Sequence, residues 1–293
     1  MSSSAEAAVL VVGMHRAGTS ATCRVVNLLG PAVAREPDLI GPTASNPRGH
    51  WESATLMCLN DRLLELLGAR WWCPPRRRTD MWATRGHDAI RDTAAEMLRD
   101  VHPVSPWVWK DPRLCITLPF WSPILPSTAV AILVVRSPLE IADSLGRRDG
   151  MARAVAIALW ERSMHHLLPA LAGRPVAVVA YSDLLADPLA EAERLRAFLT
   201  AHGVEGGEPR WAEIRAFVTT GLRSHVAAPG ELAGAVDMNP SRRELAEMLS
   251  ALPASSAQFD ATGLPAETPE NDPLFLDLRV RALGARRQPH RRL

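Results

Sequence analysis

The chain is poor in several things, and each shortage closes off a class of protein. It has one tyrosine, five phenylalanines and four cysteines in 293 residues. The cysteines, Cys23, Cys58, Cys73 and Cys115, are scattered and form no C-x-x-C pair. That spacing suits reduced thiols rather than a disulfide framework or a zinc site. Long apolar runs are missing too. The opening run, Ala7–Val12, is too short for a membrane helix, lacks a basic flank and passes straight into a glycine loop. It reads as neither a span nor a secretory leader. Charge of one sign is not in excess, with Lys plus Arg at 33, Asp plus Glu at 32 and a net charge of +1. No overall field draws such a chain to nucleic acid or to an anionic membrane. The arginines at 76–78 and in "ARRQPHRRL" read as solvated surface. Carboxylates and histidines are not clustered into a metal ligand set, and there is no internal repeat. The expectation is a soluble cytoplasmic protein without a bound metal, a nucleic-acid partner or a membrane span.

What is present is a substantial core. Apolar residues make up 47% of the chain, enough for one large domain. Ala7–Val12 has the valine-rich character of a buried parallel strand, closed by Gly13. Thr19–Leu29 shows helical spacing and stops at Gly30-Pro31. Residues 31–53, rich in Pro, Gly and Asn, read as loop. Leu56–Leu67 reads as a helix with Leu59, Leu63, Leu66 and Leu67 in register, residues 68–86 as irregular, and Asp88–Arg99 as an amphipathic helix. Further strands are expected at Trp107–Lys110, Ala129–Val135 and Val176–Tyr181. Further helices are expected at Pro138–Gly146, Ala152–Leu168 and Leu189–His202. Strands alternating with helices predict an α/β domain, a three-layer fold with a central parallel sheet and helices on both faces. Residues 1–6 read as a flexible start, 7–202 as the core, 203–293 as a helical and irregular extension of the same domain, and 286–293 as a flexible tail.

The stretch "GMHRAGTS" carries the first chemistry. Its spacing is that of a phosphate loop, in which successive backbone N–H groups make an anion nest at a helix N-terminus. Gly13 and Gly18 permit the tight backbone. His15, Arg16 and Ala17 lie between them, and Thr19 and Ser20 add hydroxyls. A nucleoside-triphosphate loop would carry lysine after its second glycine. Here that position is Thr19, and the cation is Arg16, inside the loop. An ordinary strand-to-helix turn is the competing reading.

A second anion grip follows the strand ending at Val135. "VVRSPLEIADSLGRRD" places Arg136 at the strand end and Ser144 and Arg148 on one helical face at i, i+4. The three together could clamp one phosphate with guanidinium and hydroxyl donors. Taken singly, Arg136 reads as a surface charge and Ser144 as a small packing residue.

Two phosphate grips without the loop lysine describe the sulfotransferases that use 3′-phosphoadenosine 5′-phosphosulfate (PAPS). The chain resembles that family, most closely its bacterial members and the tyrosylprotein branch. "GMHRAGTS" is similar to the family's 5′-phosphosulfate loop, commonly P-[KR]-[SA]-G-T-[ST]. "VVRSPLEIADSLGRR" resembles its 3′-phosphate segment, an arginine followed eight residues later by a serine. "WKDPR" resembles the K-D-P segment of the tyrosylprotein branch. "VVAYSDLLADP", with Tyr181, resembles Y-E-D-L-x-x-D-P. The likeness spans Ala7 to Pro188. The sequence departs from it at His15, where proline is common, and at Ser182, where glutamate is common.

The resemblance implies a sulfuryl transfer from PAPS to a hydroxyl or amine of a small-molecule or carbohydrate acceptor, in line and without metal. It places Arg16 beside the leaving bridge and gives Lys110 the neutralisation of sulfuryl or bridging charge. A strand-end surface lysine is the alternative for Lys110. A hydroxyl acceptor also needs a base, and "SNPRGHWES" offers two. Glu52 stands near where the tyrosylprotein branch places its glutamate. A carboxylate among tryptophans would have a raised pKa. His50 is the other, since the cytosolic branch uses histidine and imidazole titrates in the useful range. A charge complementing the next helix's dipole competes for Glu52. Trp51, Trp71, Trp72, Trp82, Trp107 and Trp109 serve core packing, or in part an acceptor site. Two other functions stay open: a kinase with a divergent phosphate loop, and a non-catalytic nucleotide-binding relative.

Overall fold

The computed structural model describes residues 6–83, 85–219 and 231–286. The expected flexible ends at 1–5 and 287–293 lie outside the described residues.

The valine-rich runs form a sheet. β1 (Ala8–Val12) lies between β2 (Trp107–Lys110) and β3 (Val130–Val135), and all three run parallel. β4 (Val176–Ala180) adds in parallel to β3. The order is β2-β1-β3-β4-β5. β5 (Ser255–Ser256) runs antiparallel to β4, so the sheet is parallel except at this short edge. Every residue of β1 and β2 is buried. Covered on both faces, a strand keeps apolar side chains on both, which is why these runs do not alternate. Each fully buried Val or Leu contributes roughly 1.5–3 kcal/mol.

Helices cover the sheet. α1 (Thr19–Leu28), α2 (Ala54–Leu66) and α3 (Arg85–Val101) precede β2. α4 (Leu114–Trp121) follows it, then α5 (Pro138–Asp149) and α6 (Arg153–Leu171) after β3. α7 (Tyr181–Ala186) and α8 (Pro188–Ala201) follow β4. α4 went unread in the sequence. "LCITLPFW" is apolar all round and carries Pro119, and it is buried almost throughout. A helix with no polar face shows no stripe. Two boundaries also need correction. Tyr181 does not end β4 but opens α7. Leu66 does not face the core; it is 48% exposed at the end of α2.

After α8 come α9 (Trp211–Phe217), α10 (Glu231–Gly234), α11 (Pro240–Ser250) and α12 (Asn271–Arg286). This region is stitched to α6 by a buried polar network rather than by apolar packing alone. Glu161 accepts from Arg242 Nε at 2.8 Å, Thr268 N at 2.8 Å and Asn271 Nδ2 at 3.0 Å. Arg162 pairs with Glu267 and Asp272. The proline-broken stretch "LPAETPENDP" therefore folds back onto α6 through charged groups. Hydrophobic periodicity cannot reveal such a contact.

Candidate active site

β1 and β3 are neighbours in the sheet, but α1 and β2 leave β1 on one side while β4 lies on the other. At such a switch point the loops leaving the strand ends diverge and open a crevice. The loops after β1, β2 and β3 all reach it. The crevice holds a cleft of about 610 Å³ lined by His15, Arg16, Gly18, Thr19, Ser20, His50, Glu52, Lys110, Arg113, Arg136, Arg148 and Tyr181, among others. Arg48 also lines it, giving six cations on its wall against the two carboxylates Glu52 and Asp149 among the described residues. A multiply charged anion fits that balance.

The loop Gly13–Ser20 is tight for visible reasons. Gly18 caps α1 at φ 105°, in left-handed conformation. A Cβ there would meet the Tyr181 ring at 2.2 Å. The backbone thus passes under the ring, and only glycine fits. Arg16 is also left-handed, at φ 68°. The first-turn N–H groups of α1 have no partner inside the helix, and Gly18, Thr19, Ser20 and Ala21 all border the cleft. Gly13 and Ala17 support the loop from behind without reaching the wall. At Gly13, φ is 151° and a Cβ would lie 2.8 Å from Val134 O.

Arg16 and Arg136 brace one another. Arg136 Nη1 donates to the Arg16 carbonyl at 2.9 Å. Arg136 Nε donates to Glu140 at 2.8 Å, and its guanidinium lies 5.0 Å from the Tyr181 ring centre. Its Nη2 is buried and has no partner among the described residues. Arg136 also borders a second cavity of about 560 Å³, lined in part by Trp160, Val178, Leu249 and Leu252. Arg16 Nε donates to Ser144 Oγ at 2.8 Å, and Nη1 to Ser45 O at 3.2 Å. Ser144 is 3% exposed and stands behind Arg16 rather than on the cleft wall. Arg148 is on the wall, paired with Asp149 and 5.3 Å from the Trp71 ring centre. The three members of the expected second grip are thus close, but only Arg136 and Arg148 line the cleft.

His15 packs on Trp71 at 4.3 Å between ring centres, and its buried Nε2 has no partner among the described residues. Burial, then Arg113, Arg148, Lys110 and Arg16, hold its pKa well below the ordinary histidine value. His15 is therefore a neutral ring in the loop, with a nitrogen left for a ligand.

The other side of the cleft is built on the only lysine in the chain. Lys110, at the end of β2, is 1% exposed, and its ammonium contacts the Glu52 carboxylate. Glu52 precedes Ser53, whose hydroxyl caps α2 by accepting Leu56 N at 3.0 Å. The capping role falls to Ser53, and the Glu52 side chain turns into the cleft. The loop is fixed by Ile40 N donating to Glu52 O at 2.7 Å and Ala54 N to Asp38 O at 2.8 Å. Trp51, beside Glu52, is left-handed at φ 59°. Burial raises the Glu52 pKa, Lys110 opposes that rise, and Asp111 adds to it. His50 bonds Thr43 Oγ1 at 2.8 Å. Burial, then Lys110 and the nearby arginines, bring its pKa down to about 4.

Sequence reasoning assigned no role to Arg113, and placed Trp71 only among the tryptophans read as core packing or in part an acceptor site. Arg113 was visible in "WKDPR", but its role depends on partners far off in the chain. Among the other tryptophans, Trp82, Trp107 and Trp109 are core. Trp51 packs edge-on against Phe217 at 6.3 Å and under Arg24 at 4.5 Å.

No family profile matches the chain, and no curated protein sequence matches it. Solved structures with a similar fold exist. The sulfotransferase domain from the curacin biosynthetic pathway is 16% identical, with 92% of this chain and 96% of that one covered and a TM-score of 0.41. The sulfotransferase domain of the Synechococcus PCC 7002 olefin synthase is 16% identical, with 94% of each chain covered and a TM-score of 0.41. A sulfotransferase from Mycobacterium tuberculosis H37Rv is 14% identical, with coverage of 84% and 77% and a TM-score of 0.42. At this identity and superposition, the chemistry of the cleft has to be read from its own residues. Among the described residues, no helix is long and apolar enough to cross a membrane.

Proposed function

We propose that this chain is a PAPS-dependent sulfotransferase acting on a hydroxyl or amine of a small-molecule or carbohydrate acceptor. The observation that carries the proposal is the cleft itself: a lysine-free phosphate nest and paired arginines on one side, and a buried Lys110–Glu52 pair on the other. The residues fit the donor. The nest under Tyr181 suits the 5′-phosphosulfate. Arg136, with an unpartnered Nη2, and Arg148 suit the second phosphate.

PAPS supplies an activated sulfuryl group and a phosphate leaving group. Arg16, held by Ser144, stands at the loop where leaving-group charge would build. Lys110 offers a compact ammonium, which can approach one oxygen more closely than a guanidinium fork. In a chain that otherwise uses arginine throughout, that choice supports a chemical role. Glu52 takes the acceptor proton as the acceptor oxygen bonds to sulfur and the sulfur–bridge oxygen bond breaks. Losing its negative charge, Glu52 leaves the Lys110 ammonium to the developing anion.

The test is incubation with PAPS and a panel of alcohols, phenols, amines and sugars, with mass spectrometry for one added sulfuryl group, with and without EDTA. The reading expects transfer that survives the chelator. A strict magnesium requirement, with ATP bound in preference to adenosine 3′,5′-bisphosphate, would favour the kinase reading instead. Tight binding of the bisphosphate without transfer to any acceptor would favour a binding protein.

A further inference from the structure

Arg113 lies at the floor of the cleft with more acidic partners than any one ion pair needs. Its Nε and Nη2 fork onto Asp61 at 2.6 and 3.2 Å. Its Nη1 sits 3.1 Å from Asp111 Oδ1 and 3.7 Å from Glu52 Oε2. Asp111 is itself fixed, accepting from Asn60 Nδ2 at 2.8 Å and from the Arg113 backbone N–H at 2.9 Å. Asn60 is held in turn by Thr117 and Trp121, both at 2.8 Å. The guanidinium therefore has one available position, with its Nη1 edge toward the Glu52 oxygen that Lys110 does not contact.

We propose that Arg113 is a positioning residue for Glu52: it fixes the second carboxylate oxygen beside Lys110 and tunes the basicity of that carboxylate, with Asp61 setting how much of its charge Glu52 feels. This rests on the reading of Glu52 as the base. The charged groups that act most strongly on Glu52 are Lys110, Asp111 and Arg113. His50 on its own loop and His15 on the phosphate loop are neutral by burial near neutral pH. Cys23 of α1 has its thiol pushed up to about 12 and is neutral as well. Of the cations on the cleft wall, Lys110 and Arg113 are the ones in ion contact with Glu52 among the described residues, and Asp61 lies behind Arg113. Lys110 is the group expected to turn to the sulfuryl oxygens, so Arg113 is the cation that stays with Glu52 throughout. An unpaired carboxylate at 6% exposure would protonate and lose its function as a base.

Two substitutions give opposite signs. Arg113→Gln removes a cation and should raise the Glu52 titration midpoint by about one pH unit, the lower end of a near opposite charge. Asp61→Asn, at a carboxylate 39% exposed, removes the competing anion and should lower the midpoint. Because Lys110 is the only lysine, protein grown with lysine labelled at 13Cε shows one resonance. That resonance reports ionisation of the carboxylate it contacts, without any substrate present. Arg113→Lys keeps the charge but not the fork; it adds a second lysine resonance, told from that of Lys110 by its absence in wild type, and its midpoint should fall between wild type and Arg113→Gln. If Arg113→Gln does not fold, Asp61→Asn and Arg113→Lys carry the test. Midpoints that move in the same direction in all variants, or in none, overturn the proposal. In turnover, the acid limb of kcat/KM with an alcohol acceptor should follow the same shifts. Shifts seen by resonance across the variants, when the wild-type protein transfers no sulfuryl group, would uphold the Arg113–Glu52 coupling and sink the proposed reaction. Normal transfer with a resonance unmoved by every variant would do the reverse.

Discussion

Arg16 Nε donates to Ser144 Oγ at 2.8 Å, so the cation of the loop after β1 is held by the helix after β3. Ser144 acts on the loop through Arg16, and that gives it a distinguishable signature. Ser144→Ala should lower kcat by about tenfold, near the value of one charge-assisted hydrogen bond. Affinity for adenosine 3′,5′-bisphosphate, measured by calorimetry, should change by less than about 0.5 kcal/mol. A large loss of affinity at unchanged kcat would place Ser144 on the phosphate itself.

Arg136 should read the second phosphate. Its side chain is also tied to Glu140 and to the Arg16 carbonyl, so truncating it alone perturbs the loop. The double variant Arg136→Gln, Glu140→Gln keeps that pair neutral and hydrogen-bonded. It should weaken adenosine 3′,5′-bisphosphate by about 1.5–3 kcal/mol, the scale of a charged hydrogen bond. An analogue lacking the 3′-phosphate should lose far less. Equal losses for both ligands would show that Arg136 does not contact that phosphate.

Glu52 and His50 differ in where they titrate. Burial raises Glu52 above the ordinary carboxylate range, while His50 is brought down to about 4. A base must be unprotonated to work, so activity with Glu52 as base should rise with pH along a limb above the usual carboxylate range. Glu52→Gln should cost about 10²–10⁴-fold with an alcohol acceptor. It should cost much less with an acidic phenol already partly ionised. Equal slowing of both acceptors, or an activity limb near pH 4, would shift the role to His50.

Lys110→Ala should lower kcat by roughly 10²-fold or more with little change in donor affinity, since the ammonium matters most as charge develops. It also strips Glu52 of its contact cation, so the acid limb of the residual activity should move to higher pH. A variant that lost donor binding in step with kcat would point to a ground-state role instead.

Acid sensitivity of the fold should come in part from His102. It stacks on Trp107 at 4.6 Å, and both buried ring nitrogens have no partner among the described residues. Burial brings its pKa down to about 4, below the unfolded value of about 6.5. Between those values the unfolded chain binds the extra proton, so stability is fully present above pH ~6.5 and declines as pH falls toward the folded pKa. His102→Phe keeps the stack and removes the titration. Its Tm should fall less than wild type's between pH 7 and pH 4.5. An unchanged pH profile would assign the acid loss to other groups, such as His166, also brought down to about 4.

Much of the site was legible because its signals are local. The glycines of "GMHRAGTS" mark a tight loop wherever they occur, and Gly18 is glycine because Tyr181 lies on it. Lys110 and Glu52 were each nameable from their neighbours in sequence. Their contact was not, since 58 positions separate them. Arg113 was silent for the same reason: its partners Asp61 and Glu52 lie in α2 and in the loop before it. Ser144 was misplaced by one layer, because helical spacing puts it on the face of Arg148 but does not say that Arg16 fills the space in front.

The sequence by itself determined the strands, the main helices and the tight glycine loop after β1, because burial on two faces, helical period and glycine conformation are written in consecutive residues. The buried α4, the antiparallel edge at Ser255–Ser256 and the return of residues 267–272 onto α6 were decided only by tertiary structure. So were the pairing of Lys110 with Glu52 and the place of Arg113 behind it. These depend on which distant groups meet in a low-dielectric interior, where a charge must find its opposite or lose its ionisation. No local pattern in the chain records that meeting.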